Sequence, residues 1–355
     1  MTPPCHTRAL LLCRPEFTGA LAEEILNKGA ALNARVERHG EGWVLAETTG
    51  SVLPECVFER QRLTQPDFLP AGLLKPLADE TALRLLGDAA HEHPLWTFHL
   101  LTPEADDDPA TPTLKRLEGI TSTAVRLARK RSPDLEKRFR PPHRLKPGGR
   151  VIQIFPVAEG LWFSHETLGE MINPRPGGFS RMKWDPLAPS RSFLKMEEAL
   201  DRMGLEPQAG EKVIDLGAAP GGWTYSFLKR GCDVIAVDHG PMKLPAPHDG
   251  WGSVRHLREN GITYQPPTDW PVVDWLVADM LIAPGVALGL ARRWLAGGRA
   301  RRLIINVKLP QEHPVAALLP LEALLRQANG YRSALKQLYH DRREVTIMAR
   351  MVSTD

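Results

Sequence analysis

Four charged residues lie where an α/β chain exposes side chains to a crevice: Lys195, Asp279, Lys308 and Glu344. Lys195 falls on a helical pattern, off its apolar face, and Asp279 ends a strand-like run. Lys308 follows the apolar run Leu303–Val307, and Glu344 precedes the alternation Val345, Ile347, Ala349. Such a set suits methylation of an alcohol. A ribose 2′-hydroxyl is a poor nucleophile at neutral pH, so some group must remove its proton as the methyl arrives. A neutral amine can do this and an ammonium cannot. Burial and a second cation lower a lysine's pKa, and in this reading Lys195 supplies that repulsion for Lys308. Asp279 and Glu344 then offset excess positive charge and aim the two amines.

A second constellation concerns a cofactor. Asp215-Leu-Gly-Ala-Ala-Pro-Gly-Gly-Trp223 sits where a strand turns into a helix, the place where open α/β sheets bind ligands. Its spacing, Gly217-x-x-x-Gly221-Gly222, is not G-x-G-x-x-G, which disfavours a pyrophosphate cradle relative to a smaller zwitterionic nucleoside. Asp238 ends the next strand, where a carboxylate can take ribose hydroxyls. Together these features suit S-adenosylmethionine, with Asp215 for its amino group.

These residues need a scaffold. From Arg191 onward, strands are expected at Lys212–Leu216, Asp233–Val237, Ser253–Leu257, Trp275–Asp279 and Leu303–Val307. Helices are expected at Ser192–Met203, Gly222–Lys229, Val286–Leu295 and Val315–Ala328. Two last strands, Ala334–Tyr339 and Glu344–Ala349, are joined by a link too short for a crossover. The expected fold class is therefore α/β: a parallel, Rossmann-like sheet ending in an antiparallel hairpin. The first half reads as a small α+β domain, with strands at Thr7–Arg14, Ala31–Glu37, Trp43–Glu47 and Trp96–Leu101 and a hairpin at Val151–His165. The acidic loop Glu104–Asp108 and a helix from about Thr113 to Lys130 lie between. Boundaries are expected at 1–165, a Pro- and Gly-rich linker at 166–190, and 191–355.

The segments just described carry a resemblance. Ser190-Arg-Ser-Phe-Leu-Lys195, the Asp215–Trp223 loop, Val277-Ala-Asp-Met280, Asn306-Val-Lys-Leu309 and Arg343-Glu-Val345 resemble the FtsJ-like RNA 2′-O-ribose methyltransferases. That family uses a Lys-Asp-Lys-Glu tetrad, which falls here on Lys195, Asp279, Lys308 and Glu344. The resemblance implies methyl transfer from S-adenosylmethionine to the 2′-hydroxyl of a cytidine in 23S ribosomal RNA, with Lys308 as proton acceptor. It implies a THUMP-like RNA-binding domain at the N-terminus. It carries cofactor binding onto Ser192, Ala219, Pro220, Gly221, Gly222, Asp238, Asn260 and Asp279, alongside Asp215, Gly217 and Trp223 of the loop. Asn260 departs from the family's aspartate, though an amide can still donate and accept.

Composition limits the alternatives. The chain has 355 residues, formal net charge +3 and four cysteines, with no C-x-x-C pair, so neither a disulfide framework nor a cysteine zinc site is expected. No metal site is expected either; Cys5-His6, His91, His93 and His340 form no ligand-like set. No span or leader is read, and a cytoplasmic setting is expected. The cationic run from Lys115 to Arg150 is expected to track RNA phosphates. Trp162, Phe163, Phe179 and Trp184 are candidates for stacking on bases, with a core role as the alternative. Competing readings are a methyltransferase for another RNA or for a base, and a non-catalytic RNA-binding assembly factor.

Overall fold

The computed structural model describes residues 7–70, 95–102, 112–131 and 133–352, with the side chains of 112–117, 127, 128, 131 and 133–135 left aside. Cys5, His6, His91, His93 and the acidic loop Glu104–Asp108 lie outside the described residues, as do the side chains of Lys115, Arg116 and Arg131. The chain forms two compact units, Met1–Phe179 and Ser180–Asp355.

The first unit is α+β. Strands β1 (Thr7–Leu12), β2 (Arg35–Gly40), β3 (Trp43–Thr48) and β4 (Gln61–Thr64) form an antiparallel sheet in the order β2-β3-β1-β4. Helix α1 (Thr18–Gly29) buries Leu21 and Ile25. A second sheet takes β5 (Asp67–Pro70), β6 (Trp96–Leu100), β7 (Arg150–Val157) and β8 (Gly160–Thr167) in the order β5-β8-β7-β6. Leu10, Leu12, Trp43 and Leu45 of the first sheet share one core with Phe155 and Trp162 of the second. Helix α2 (Pro112–Arg131) adds Ile120 and Ala124 to a core with Trp96, Ile152 and Phe163, and the short α3 (Pro133–Arg138) follows it.

Two expectations change here. The apolar run Ala31–Glu37 is not one strand: a 3-10 turn takes Ala30–Leu32, Asn33 turns left-handed at φ 52°, and β2 starts at Arg35. Trp162 and Phe163 are 3% and 2% exposed, so they are core and do not stack on bases. Phe179 is half-buried under the Arg60 guanidinium, 4.2 Å from its ring centre, whereas Trp184 is exposed.

The second unit opens with α4 (Phe193–Met203), then β9 (Lys212–Leu216), α5 (Gly222–Leu228), β10 (Asp233–Val237), β11 (Val254–Leu257) and β12 (Val273–Ala278). It continues with α6 (Pro284–Ala296), β13 (Ala300–Lys308), α7 (Pro314–Gln327), β14 (Tyr331–Lys336) and β15 (Glu344–Met351). The sheet is mixed, in the order β11-β10-β9-β12-β13-β15-β14. The β9–β13 pairings are parallel, and β15 inserts antiparallel between β13 and β14. On one face Trp275, Val277, Ile304 and Met348 pack with Met196 and Ala199 of α4 and with Trp223 and Phe227 of α5. Residues of opposite parity, Leu276, Leu303, Ile305 and Ile347, are equally buried, so both faces are covered. Burial on both faces explains why these strands read as apolar runs. Among the described residues, no helix is long and apolar enough to cross a membrane and no His/Cys/Asp/Glu group is arranged to hold a metal.

Candidate active site

Helix α4 and the carboxyl ends of β12 and β13 converge with the start of β15. Lys195 Nζ lies 3.8 Å from Asp279 Oδ1 and 3.7 Å from Glu344 Oε2, all three side chains half-buried. Lys308 is the register partner of Glu344 across β13 and β15, and the Leu309 N–H donates to the Arg343 carbonyl at 2.8 Å. The structure thus brings the four residues together. Burial pushes the Asp279 carboxyl up; Lys195 and Lys308 pull it back and Glu344 opposes them. Lys308 itself is exposed and forms no ion pair among the described residues. The expectation of a buried Lys308 is corrected: it is the last residue of β13 and is exposed.

Beneath the four lies a buried polar frame that the sequence reading passed over. Asn306 Nδ2 donates to Asp341 Oδ1 at 2.8 Å, and Asp341 Oδ2 accepts from Thr346 Oγ1 and from the Leu338 N–H, both at 3.0 Å. Glu198, one turn after Lys195, accepts the Tyr339 and His340 N–H groups at 2.8 and 2.9 Å. Burial raises Glu198 to about 7 and Asp341 to about 6. Together they tie the β14–β15 link to α4 and β13, and that link ends at Glu344. A signal was present: Asn306 is a lone amide inside an apolar strand, which a buried position permits only if it is hydrogen-bonded.

The glycine loop packs against the start of α4. A Cβ on Gly222 would collide with the Ser190 and Ser192 hydroxyls, which are hydrogen-bonded to each other at 2.8 Å. Gly217 (φ 78°) and Gly221 (φ 115°) take left-handed backbone, and a Cβ on Gly217 would strike Met280. Asp238 Oδ2 accepts the Ala219 N–H at 3.1 Å and Oδ1 accepts the Gly240 N–H at 2.7 Å, so this carboxylate holds the loop as well as facing it. The Pro220 carbonyl accepts from the Lys243 N–H. Asp215 is completely buried. Its Oδ2 accepts from Thr224 Oγ1 at 2.6 Å, while Oδ1 has no hydrogen-bond partner among the described residues. Burial, with Asp279 and Asp238 adding to it, pushes Asp215 up to about 7. An orphaned buried carboxylate oxygen beside a strained glycine loop fits a cationic, hydrogen-donating group.

Two loop expectations shift. The Trp223 ring is 3% exposed in the core and its Nε1 donates to the Ser192 carbonyl at 2.9 Å, so it braces α5 on α4 and only its backbone borders the loop. Asn260 is exposed and closes its own turn, Oδ1 accepting the Ile262 N–H at 2.9 Å.

The fold and the site's position define a class, and comparison with known proteins agrees: a family model of FtsJ-like methyltransferases matches residues 188–292. Relatives named ribosomal RNA large subunit methyltransferase M align over nearly the whole chain. That of Laribacter hongkongensis is 33% identical over 97% of both chains. Those of Edwardsiella ictaluri and Alkalilimnicola ehrlichii are 33% and 34% identical over 97% of this chain and 94% of theirs. The chain belongs to the ribosomal RNA large subunit methyltransferase M family and is a methyltransferase.

Proposed function

We propose that this enzyme transfers a methyl group from S-adenosylmethionine to the 2′-hydroxyl of a cytidine ribose in 23S ribosomal RNA, with Lys308 as general base. The observation that carries the reading is the Lys195 ammonium held between Asp279 and Glu344 while Lys308 stands beside them without an ion pair among the described residues. Both carboxylates are thereby committed to Lys195. Lys308 is left beside them without a direct ion pair among the described residues, at the end of β13.

When bound, S-adenosylmethionine supplies a methyl group on a sulfonium, already activated for transfer. The chain's own residues do the rest. Asp215 Oδ1 takes the cofactor's ammonium, Gly217 to Gly222 let the backbone close on it, Asp238 takes ribose hydroxyls and Asn260 the adenine edge. Ser192 and Asp279 border the same space. Lys308 Nζ accepts the proton of the 2′-hydroxyl as the oxygen turns nucleophile. Asp279 and Glu344 hold Lys195 in place, and in-line positioning contributes up to about 7–11 kcal/mol in favourable cases.

In the same reading, residues 1–165 are a THUMP-like RNA-binding domain, 166–190 a linker and 191–355 the methyltransferase domain. Support comes from the exposed cations Arg126, Lys130, Arg144 and Lys146 on the first unit. The test is incubation with labelled S-adenosylmethionine and unmodified large-subunit RNA, followed by digestion to nucleosides. Label in 2′-O-methylcytidine is expected; label on a base nitrogen would overturn the ribose assignment.

A further inference from the structure

Lys308 and Glu344 face each other on the side of the sheet that packs against α4. Six residues back along β13, about 20 Å at ~3.3 Å per residue, the same side carries a different row. Arg302 is the register partner of Arg350, and Arg350 of Arg332. Residues in register share a face, so three arginine side chains leave the same face of adjacent strands about 4.8 Å apart.

Like charges placed this way destabilise a sheet. Arg302 is countered: it pairs with Glu211 at 2.7 Å and lies over the Trp275 ring at 4.9 Å. Arg350 and Arg332 are exposed and have no hydrogen-bond or ion-pair partner among the described residues. Protection of a sheet edge by charge accounts for Arg332, on the edge strand β14. It does not account for Arg350, one strand in, or Arg302, two strands in. Beside the row is a cavity of about 640 Å³ walled by Leu205, Val272, Arg301, Arg302, Arg350 and Met351. Arg301 is 64% exposed and meets Asp274 at 3.6 Å.

We propose that this row is a second RNA-binding surface on the Ser180–Asp355 unit, taking backbone phosphates at a distance from the reacting nucleotide. The proposal rests on the RNA substrate of the preceding section. Guanidinium forks match phosphate oxygens in pairs, and an anion over the row removes the repulsion between its members. Between the row and the site, Ala334 of β14 is exposed on the same face. Ile304, Asn306, Thr346 and Met348, which lie between the row and the site on that face, are buried. Phosphates held at the row therefore belong to nucleotides that pass around this covered strip on their way to Lys308.

The experiment uses the full-length protein with Arg332→Gln and Arg350→Gln combined, and two RNAs. One is an unmodified large-subunit transcript; the other is a short oligonucleotide carrying only the methylated nucleotide and its immediate neighbours. For the transcript, KM should rise about tenfold and the slope of log affinity against log salt should flatten by about 1.4–1.8, as for two phosphates no longer neutralised. The kcat, the cofactor KM and the KM for the short oligonucleotide should stay at wild-type values, and Tm should not fall. A control with Arg292→Gln and Arg326→Gln, exposed on α6 and α7, should leave the slope near wild type. An unchanged slope, an equal loss on the short oligonucleotide, or the same effect in the control overturns the proposal. If the wild type methylates neither RNA, the substrate reading falls instead, and transcript binding by the same variants still decides the row.

Discussion

A carboxylate buried with one oxygen unpartnered among the described residues shares the pH behaviour of this chain with Glu198 and Asp341, which burial also raises. Asp215 is raised to about 7 by burial, with Asp279 and Asp238 adding to it. The folded state therefore holds this proton more tightly than the unfolded one, whose value is near 3.9. As far as this group decides, stability is greatest below about pH 4, falls as pH climbs toward 7, and is level above it. Thermal unfolding between pH 4 and 8 should show that decline, and Asp215→Asn should make it shallower while the contribution of Glu198 and Asp341 stays. A cationic ligand draws the carboxyl down again, so cofactor affinity measured by calorimetry should strengthen as pH rises through about 7. At the reacting end, Lys308→Ala should lower kcat by about 10²–10⁴, the usual contribution of a general base, with cofactor Kd unchanged. A cofactor Kd weakened in parallel would remove Lys308 from the chemistry.

Elements are aimed by buried polar atoms rather than by exposed charge. The link between β14 and β15 is held by Asp341 to Asn306 and Thr346, and by Glu198 to the Tyr339 and His340 N–H groups. Asp341→Ala takes the acceptor from the Thr346 hydroxyl and the Leu338 N–H and leaves the Asn306 amide with Thr346 Oγ1 alone, at about 1–3 kcal/mol for each unsatisfied group. Denaturant unfolding should detect that loss, and kcat should fall with it because Glu344 loses its anchor. Gly222→Ala forces a methyl between Ser190 and Ser192 at the junction of α4 and α5. Overpacking of this kind costs about 1–3 kcal/mol, and because the collision is at the loop, cofactor KM should rise more than Tm falls.

For the whole molecule, the proposed function draws its RNA affinity from charge. The net charge is only +3, so binding depends on local runs rather than the overall sign. Replacing Arg126, Lys130, Arg144 and Lys146 by glutamine should flatten the salt dependence of RNA binding by about 0.7–0.9 for each phosphate left unneutralised. Cofactor affinity in Ser180–Asp355 should be untouched; a change in both would argue for misfolding of the variant.

The order of strands and helices after Arg191 was readable because both faces of a parallel sheet are buried, which writes apolar runs of strand length between helical stripes. Asp279, Lys308 and Glu344 were readable for a related reason: each is a charge directly adjoining such a run, and strand ends are where α/β sheets expose side chains. Lys195 was readable as a charge off the apolar face of the opening helix. Short polar strands such as β4 and β5 escaped, since Gln61–Thr64 has no apolar stripe to announce it and gains its register from β1. What the tertiary structure alone decided is which charges meet. Antiparallel insertion of β15 between β13 and β14 puts Glu344 opposite Lys308, and the same register aligns Arg302, Arg350 and Arg332. Neither neighbourhood is encoded in spacing along the chain, because pairing between strands depends on where the backbone turns, not on how far apart residues are numbered. The linear pattern fixes which residues reach an end or a face; only packing fixes which of them share it.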